Sequence, residues 1–157
     1  MTDPYAKLEE LGLKLPSVTP PLAAYVPAVR SGNYVYVSGQ LPMADGRLLA
    51  SGKVGAEVTP EEAKQLAARC ALNGLAALDS AAGLNNVRIV KVVGFVASAP
   101  GFTGQPGVVN GASELFGEVL GEKGKHARSA VGVSELPLGA PVEVELIAEV
   151  VADTPTK

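Results

Sequence analysis

Lys125-His126-Ala127-Arg128-Ser129-Ala130-Val131-Gly132-Val133, followed by Val142-Glu143-Val144-Glu145-Leu146-Ile147-Ala148, is the stretch whose reading decides the fold. Both halves alternate small or apolar residues with polar ones, the period-two pattern of strands with one buried face. Leu136-Pro137-Leu138-Gly139-Ala140-Pro141 between them carries the Pro and Gly of a turn. The segment predicts two neighbouring strands of one sheet. The first has a cation where it begins, Arg128. The second sets Glu143, Glu145 and Glu149 on one face, against Val142, Val144, Leu146, Ala148 and Val150 on the other. A cation at one strand end near a carboxylate on the next strand suits the holding and attack of a small anionic substrate.

Upstream, Pro4–Gly12 predicts a short helix with Asp3 as N-cap and Gly12 as stop. Leu15-Pro16 through Pro20-Pro21 reads as extended linker. Ala24–Arg30 and Tyr34–Gly39, split by Ser31-Gly32-Asn33, read as a hairpin, with Pro27 confining the first strand to an edge or interrupting it. Met43–Gly55 reads as loop with weak strand character. Thr59-Pro60-Glu61-Glu62 is the clearest local signal. Thr59 suits a cap, Pro60 the first helical position, and Glu62 completes a capping box. Ala63, Leu66, Ala67, Cys70, Ala71, Leu75 and Leu78 then recur at helical spacing until Gly83. Arg88–Ala97 is a β-branched strand. Ala99–Val108 reads as loop, and a second helix is predicted from about Val109 to Leu120. The fold class is α+β, a mixed sheet with two helices packed on one face. Apolar residues on the other face would call for cover by further subunits.

The 157 residues are read as one domain, with 1–20 as N-terminal extension and linker, 21–151 as core and 152–157 as polar tail. Net charge of −3 argues against broad electrostatic binding to nucleic acid. One Cys and one His rule out an internal disulfide and a Cys-rich metal site. The N-terminus lacks a basic-then-apolar signal pattern, and no run reaches the ~18 to 20 apolar residues of a membrane span, so the expectation is a cytoplasmic protein.

Four short motifs, taken with the order of elements, resemble the RidA family, also called YjgF, the reactive-intermediate deaminases. They are Tyr25 in Ala24-Tyr25-Val26; Val37-Ser38-Gly39-Gln40-Leu41-Pro42; Asn110 in Val109-Asn110-Gly111; and Ala127-Arg128-Ser129 followed by Leu136-Pro137 and Val142-Glu143-Val144-Glu145. The resemblance implies a chorismate-mutase-like fold, a homotrimer with a ligand cleft at each subunit interface, and no metal or organic cofactor. It also implies hydrolysis of reactive enamines and imines, such as 2-aminoacrylate, to a 2-keto acid and ammonia. The chain departs from the pattern where His126 replaces a Pro that often precedes Ala-Arg-Ser, where Ala130 replaces a Cys, and where Ala23-Ala24 replaces Gly-Pro. The Ala99–Val108 loop and the N-terminal extension are additional.

On this resemblance Arg128 is the carboxylate-binding residue, since its planar fork matches a carboxylate through two parallel hydrogen bonds. The competing reading is an ordinary ion pair with a sheet glutamate. Glu143 would orient the attacking water or pass protons, or else be a solvated strand charge. Tyr25 would place a phenol near the substrate, or cover the core from an edge strand. Ser38 and Gly39 would offer a hydroxyl and a backbone N–H, or simply end a strand. Asn110 and Ser129 complete the binding set, Asn110 being alternatively a helix N-cap. Glu145 and Glu149 are read as interface or solvent charges, His126 as a surface residue, and Cys70 as a small core residue. The partners expected are a small carboxylate-bearing metabolite and two further copies of the chain, with no membrane and no nucleic acid. The alternatives are a non-catalytic trimer that binds a 2-keto acid and, third, an endoribonuclease or translation inhibitor. The acidic charge balance and the lack of a basic-aromatic stripe count against the third.

Overall fold

The computed structural model describes residues 3–18 and 24–151. The Pro20-Pro21 part of the expected linker, Ala23 and the tail from residue 152 lie outside the described residues.

Helix α1 (Pro4–Glu10) starts where Asp3 accepts a hydrogen bond from Tyr5 N–H. It is docked rather than detached: Leu8 is buried, and the Tyr5 hydroxyl donates to Asp79 Oδ1 (2.5 Å) while accepting from Leu84 N–H (3.1 Å). Strand β1 (Ala28–Ser31) begins only after Pro27, which has no N–H to give to a ladder. The hairpin continues into β2 (Tyr34–Gln40). A two-residue ribbon follows, β3 (Met43–Ala44) and β4 (Arg47–Leu48), joined at Asp45-Gly46, where both residues have positive φ. Helix α2 (Pro60–Ala82) is capped as its sequence predicts: Thr59 Oγ1 accepts from Glu62 N–H at 3.1 Å.

Strand β5 (Val87–Ala97) leads to α3 (Gln105–Leu120). This helix begins four residues before the predicted start at Val109, so the long Ala99–Val108 loop is a misreading. Gly and Pro made the segment look irregular, yet Pro106 lies in the first helical turn, where a missing N–H costs nothing. Asn110 is accordingly in the helix interior and is not an N-cap. Strands β6 (Ala127–Val133) and β7 (Val142–Val150) close the chain.

The five-stranded sheet has the order β1-β2-β7-β5-β6, parallel between β5 and β6 and antiparallel elsewhere. β6 and β7 share a sheet but are not neighbours, because β5 lies between them. That corrects the adjacent pair expected from the sequence. The connection from β5 to β6 through α3 is the reason: a parallel pair needs a crossover of this length, and β7 then returns antiparallel on the other side of β5.

The helices cover one face. Val142, Val144, Leu146 and Ala148 of β7 meet Ala63, Ala67, Cys70, Leu75 and Leu78 of α2 and Phe116 of α3 in a single core. The small residues of α2 allow close approach. At the α2–α3 contact a side chain on Gly111 would collide with the Lys64 carbonyl. The opposite face carries Val29, Tyr34, Tyr36 and Val131, each 42–52% exposed.

Cover of this face by further copies of the chain is the expected use of so much apolar surface. Sedimentation or light scattering should give a solution mass of three chains, and a stable monomeric mass at micromolar protein would exclude that assembly.

Candidate functional site

Arg128 stands at the start of β6, an edge strand, and turns its side chain toward α3. Its Nη1 donates to Asn110 Oδ1 (2.7 Å) and to Ser113 Oγ (3.2 Å), and its Nη2 donates to the Pro106 carbonyl (3.4 Å). Pro106, Asn110 and Ser113 follow one another at steps of four and three, so they form one stripe on α3. Every acceptor is neutral. Among the described residues no carboxylate ion-pairs with Arg128. The reading of Arg128 as the partner of a sheet glutamate is therefore set aside. Glu149 pairs instead with Arg88 (2.7 Å), its ladder neighbour on β5.

Glu143 lies elsewhere. On β7 it alternates with the buried Val142 and Val144, so it sits on the face away from the helices. In the ladders Arg128 is level with Val92 and Leu146, whereas Glu143 is level with Phe95 and Val131. Three residues along the strands and two strands across put the two backbones about 14 Å apart. Within one chain the pair does not converge.

A different partner approaches Glu143. The β2–β7 register shifts between Val37 and Gln40, a bulge that sets Ser38-Gly39 opposite Glu145 and leaves Gly39 beside the Glu143 side chain. The carboxylate packs over Gly39 so closely that a methyl there would fall on Oε1. Burial pushes the Glu143 carboxyl above its ordinary range, and repulsion from Glu145 adds to it. A carboxylate whose pKa is raised is a better proton acceptor than an unperturbed one.

Tyr25 and Gly39 line a groove of about 800 Å³ together with Gln40, Arg69, Asn73 and Leu138. Tyr25 is 58% exposed, in a bend before β1, so it neither belongs to an edge strand nor covers the core. The Ser38 hydroxyl donates to the Val26 carbonyl (2.6 Å), which ties the Tyr25 segment to β2 and leaves Ser38 oxygen only as an acceptor. Ser38 also borders a cavity of about 290 Å³ on the helix-free face, with Tyr36, Lys91, Val93, Glu145 and Ile147. Ser129 points to that face too, its Oγ 3.5 Å from Lys91 Nζ, on the side opposite Arg128. Neither cavity includes Arg128.

The candidates thus separate into an Arg128–Asn110 cluster against α3 and a Tyr25–Gly39–Glu143 cluster around the bulge, with Ser129 beside Lys91. Cys70 is fully buried with its thiol pushed well up by desolvation, as suits a core residue. Among the described residues no three of His, Cys, Asp and Glu gather as metal ligands, and no helix is long and apolar enough to cross a membrane.

Two residues were missed. Ser113 is three positions after Asn110, and this spacing marks a shared helix face once α3 is known to start at Gln105. His126 is not a free surface residue. It is half-buried, edge-on to Phe116 with ring centroids 5.9 Å apart, and bonded through both ring nitrogens to Ser113 Oγ (2.8 Å) and the Gly124 carbonyl (2.6 Å).

The model of the family described as Endoribonuclease L-PSP matches residues 17–150. The chain belongs to this family, that of the RidA/YjgF proteins. It is 46% identical to Protein TCP17 of Trypanosoma cruzi over 92% of each chain. It is 31% identical to the 2-iminobutanoate/2-iminopropanoate deaminase of Dermatophagoides farinae, over 86% of this chain and 92% of that one. The crystal structure of a protein from Shewanella oneidensis superposes with a TM-score of 0.91 at 32% identity, covering 95% of this chain and 100% of that one.

Replacing Gly39 by Ala should push the Glu143 carboxylate off the bulge at a cost of about 1 kcal/mol in denaturant unfolding, the low end for an inserted methyl group. Carboxyl ¹³C titration should show the Glu143 pKa falling toward its ordinary value as the group enters water.

Proposed function

We propose that the chain hydrolyses reactive 2-enamino and 2-imino acids, such as 2-aminoacrylate, to 2-keto acids and ammonia, in a cleft between copies of a homotrimer. The observation that carries this reading is the Arg128 guanidinium held by neutral acceptors alone. A half-exposed cation with fixed orientation and no counterion among the described residues is built for an incoming anion, and a carboxylate fits its planar fork. The deaminase of Dermatophagoides farinae supports the reaction class. The net charge of −3 disfavours the ribonuclease alternative suggested by the family's description.

The distance between the Arg128 and Glu143 clusters in one chain supports an intersubunit site, in which Arg128 of one copy works with Glu143, Gly39 and Tyr25 of the next. The chemistry asks little of the protein. The enamine takes a proton on carbon to become an iminium. Water adds to the iminium carbon while Glu143 accepts a proton from it. Glu143 then returns that proton to nitrogen, the C–N bond breaks as the hydroxyl gives its proton to the Glu143 carboxylate, and ammonia leaves with the carbonyl formed. Arg128 holds the carboxylate throughout, which fixes the reacting carbon relative to the water.

With 2-aminoacrylate generated in situ, wild type should accelerate keto-acid formation, and Arg128→Ala should lower kcat/KM roughly 100-fold, as expected on losing a bidentate charged contact. No acceleration by wild type, with 2-oxobutyrate still bound in calorimetry, would leave a metabolite-binding trimer instead.

Glu143 must be ionised to accept the proton, so activity should fall as pH drops through its raised pKa. The acid limb should therefore lie above the ordinary carboxylate range, and Glu143→Gln should remove it along with most of kcat. A limb unchanged in that variant would assign the proton transfer to another group.

A further inference from the structure

Arg128 lies at one end of a hydrogen-bond chain that runs through Ser113 and His126 to a main-chain carbonyl. The chemistry of the two ends fixes its direction. A guanidinium only donates and a carbonyl only accepts. Arg128 Nη1 therefore donates to Ser113 Oγ (3.2 Å), and His126 Nδ1 donates to the Gly124 carbonyl (2.6 Å). With the proton of the neutral ring on Nδ1, Nε2 keeps its lone pair and accepts the Ser113 hydroxyl at 2.8 Å. All four groups are satisfied in one arrangement, with the Ser113 hydrogen toward His126 and a Ser113 lone pair toward Arg128. The ring is fixed from the side by Phe116, a fully buried side chain.

We propose that Ser113 and His126 are positioning residues that set the Arg128 guanidinium for anion binding: Nε2 holds the serine hydrogen so that the oxygen lone pair stays aimed at Nη1. The inference rests on Arg128 being the carboxylate-binding group. A hydroxyl released from Nε2 rotates, and its hydrogen then spends time facing a guanidinium N–H, a repulsive contact. Arg128 is left with Asn110 and the longer contact to the Pro106 carbonyl. The cost of ordering its long side chain then falls on ligand binding.

The test uses the intact protein. His126 is the sole histidine, so its ring nitrogens are identified in ¹⁵N spectra without assignment. Wild type should show the Nδ1–H tautomer, and the Nε2 signal should move in Ser113→Ala. The Arg128 Nη signals, identified by their loss in Arg128→Ala, should be distinct in wild type. They should merge in Ser113→Ala and His126→Phe, and separate again in His126→Gln, whose side-chain carbonyl can accept the same hydroxyl. Calorimetry with 2-oxobutyrate should show roughly 10-fold weaker binding in the first two variants, the worth of one charge-assisted hydrogen bond, and near wild-type binding in the third. An Nε2–H tautomer overturns the proposal. So does binding that needs Arg128 but ignores both other residues, an outcome that leaves the ligand assignment standing. Spectra as expected with no 2-oxobutyrate binding by wild type overturn the ligand assignment and support the positioning.

Discussion

The period-two alternation along β7 is the constraint on which the rest of the molecule depends. Val142, Val144, Leu146 and Ala148 are driven against α2 and α3 by the area they remove from water. Once they face inward, Glu143, Glu145 and Glu149 have no choice of side. A slip of one residue would bury three carboxylates among alanines and valines, which no partner in the core could offset. The bulge in β2 is adjusted to this register. It absorbs an extra length of chain at Ser38-Gly39, where Glu143 needs room, and the ladder to β7 resumes beyond it.

The same logic separates the two halves of the candidate site. Arg128 is on an edge strand and reaches to the helix side, while Glu143 is on a central strand and faces away from it. Neither can be turned toward the other without exchanging buried for exposed residues along a whole strand. The apolar side chains left on the helix-free face, Val29, Tyr36 and Val131 among them, lie on the same side as Glu143. Surface of that kind and a half-site are complementary needs, and the proposed assembly of copies would meet both.

Local signals carried most of the fold. Thr59-Pro60-Glu61-Glu62 placed the start of α2 because a cap, a fixed φ and a spare first-turn N–H all act within four residues. The alternation in β5, β6 and β7 likewise needs only nearest neighbours to be read. Adjacency of β6 and β7 was misjudged because strand order depends on where the crossover through α3 lands, which no local pattern encodes. The start of α3 was misplaced because Gly and Pro have the same composition in a loop as in a first helical turn. At the site, Arg128 and Asn110 were legible through the family motifs, and the structure joins them at 2.7 Å. His126 was not, since its partner Ser113 sits thirteen residues away and meets it only after α3 packs beside β6.

All three acceptors of Arg128 come from α3, a single 16-residue helix, while the arginine itself comes from the sheet. The charge preference of the site is thereby divorced from the scaffold that supports it. Substitutions along one helical stripe, at Asn110 or Ser113, alter what the guanidinium has left to offer without disturbing strand pairing. An acidic residue there would supply an internal counterion and silence the cation, and a small apolar one would free additional donors. Diversification of ligand preference among related chains can proceed by rewriting this stripe while the sheet stays as it is.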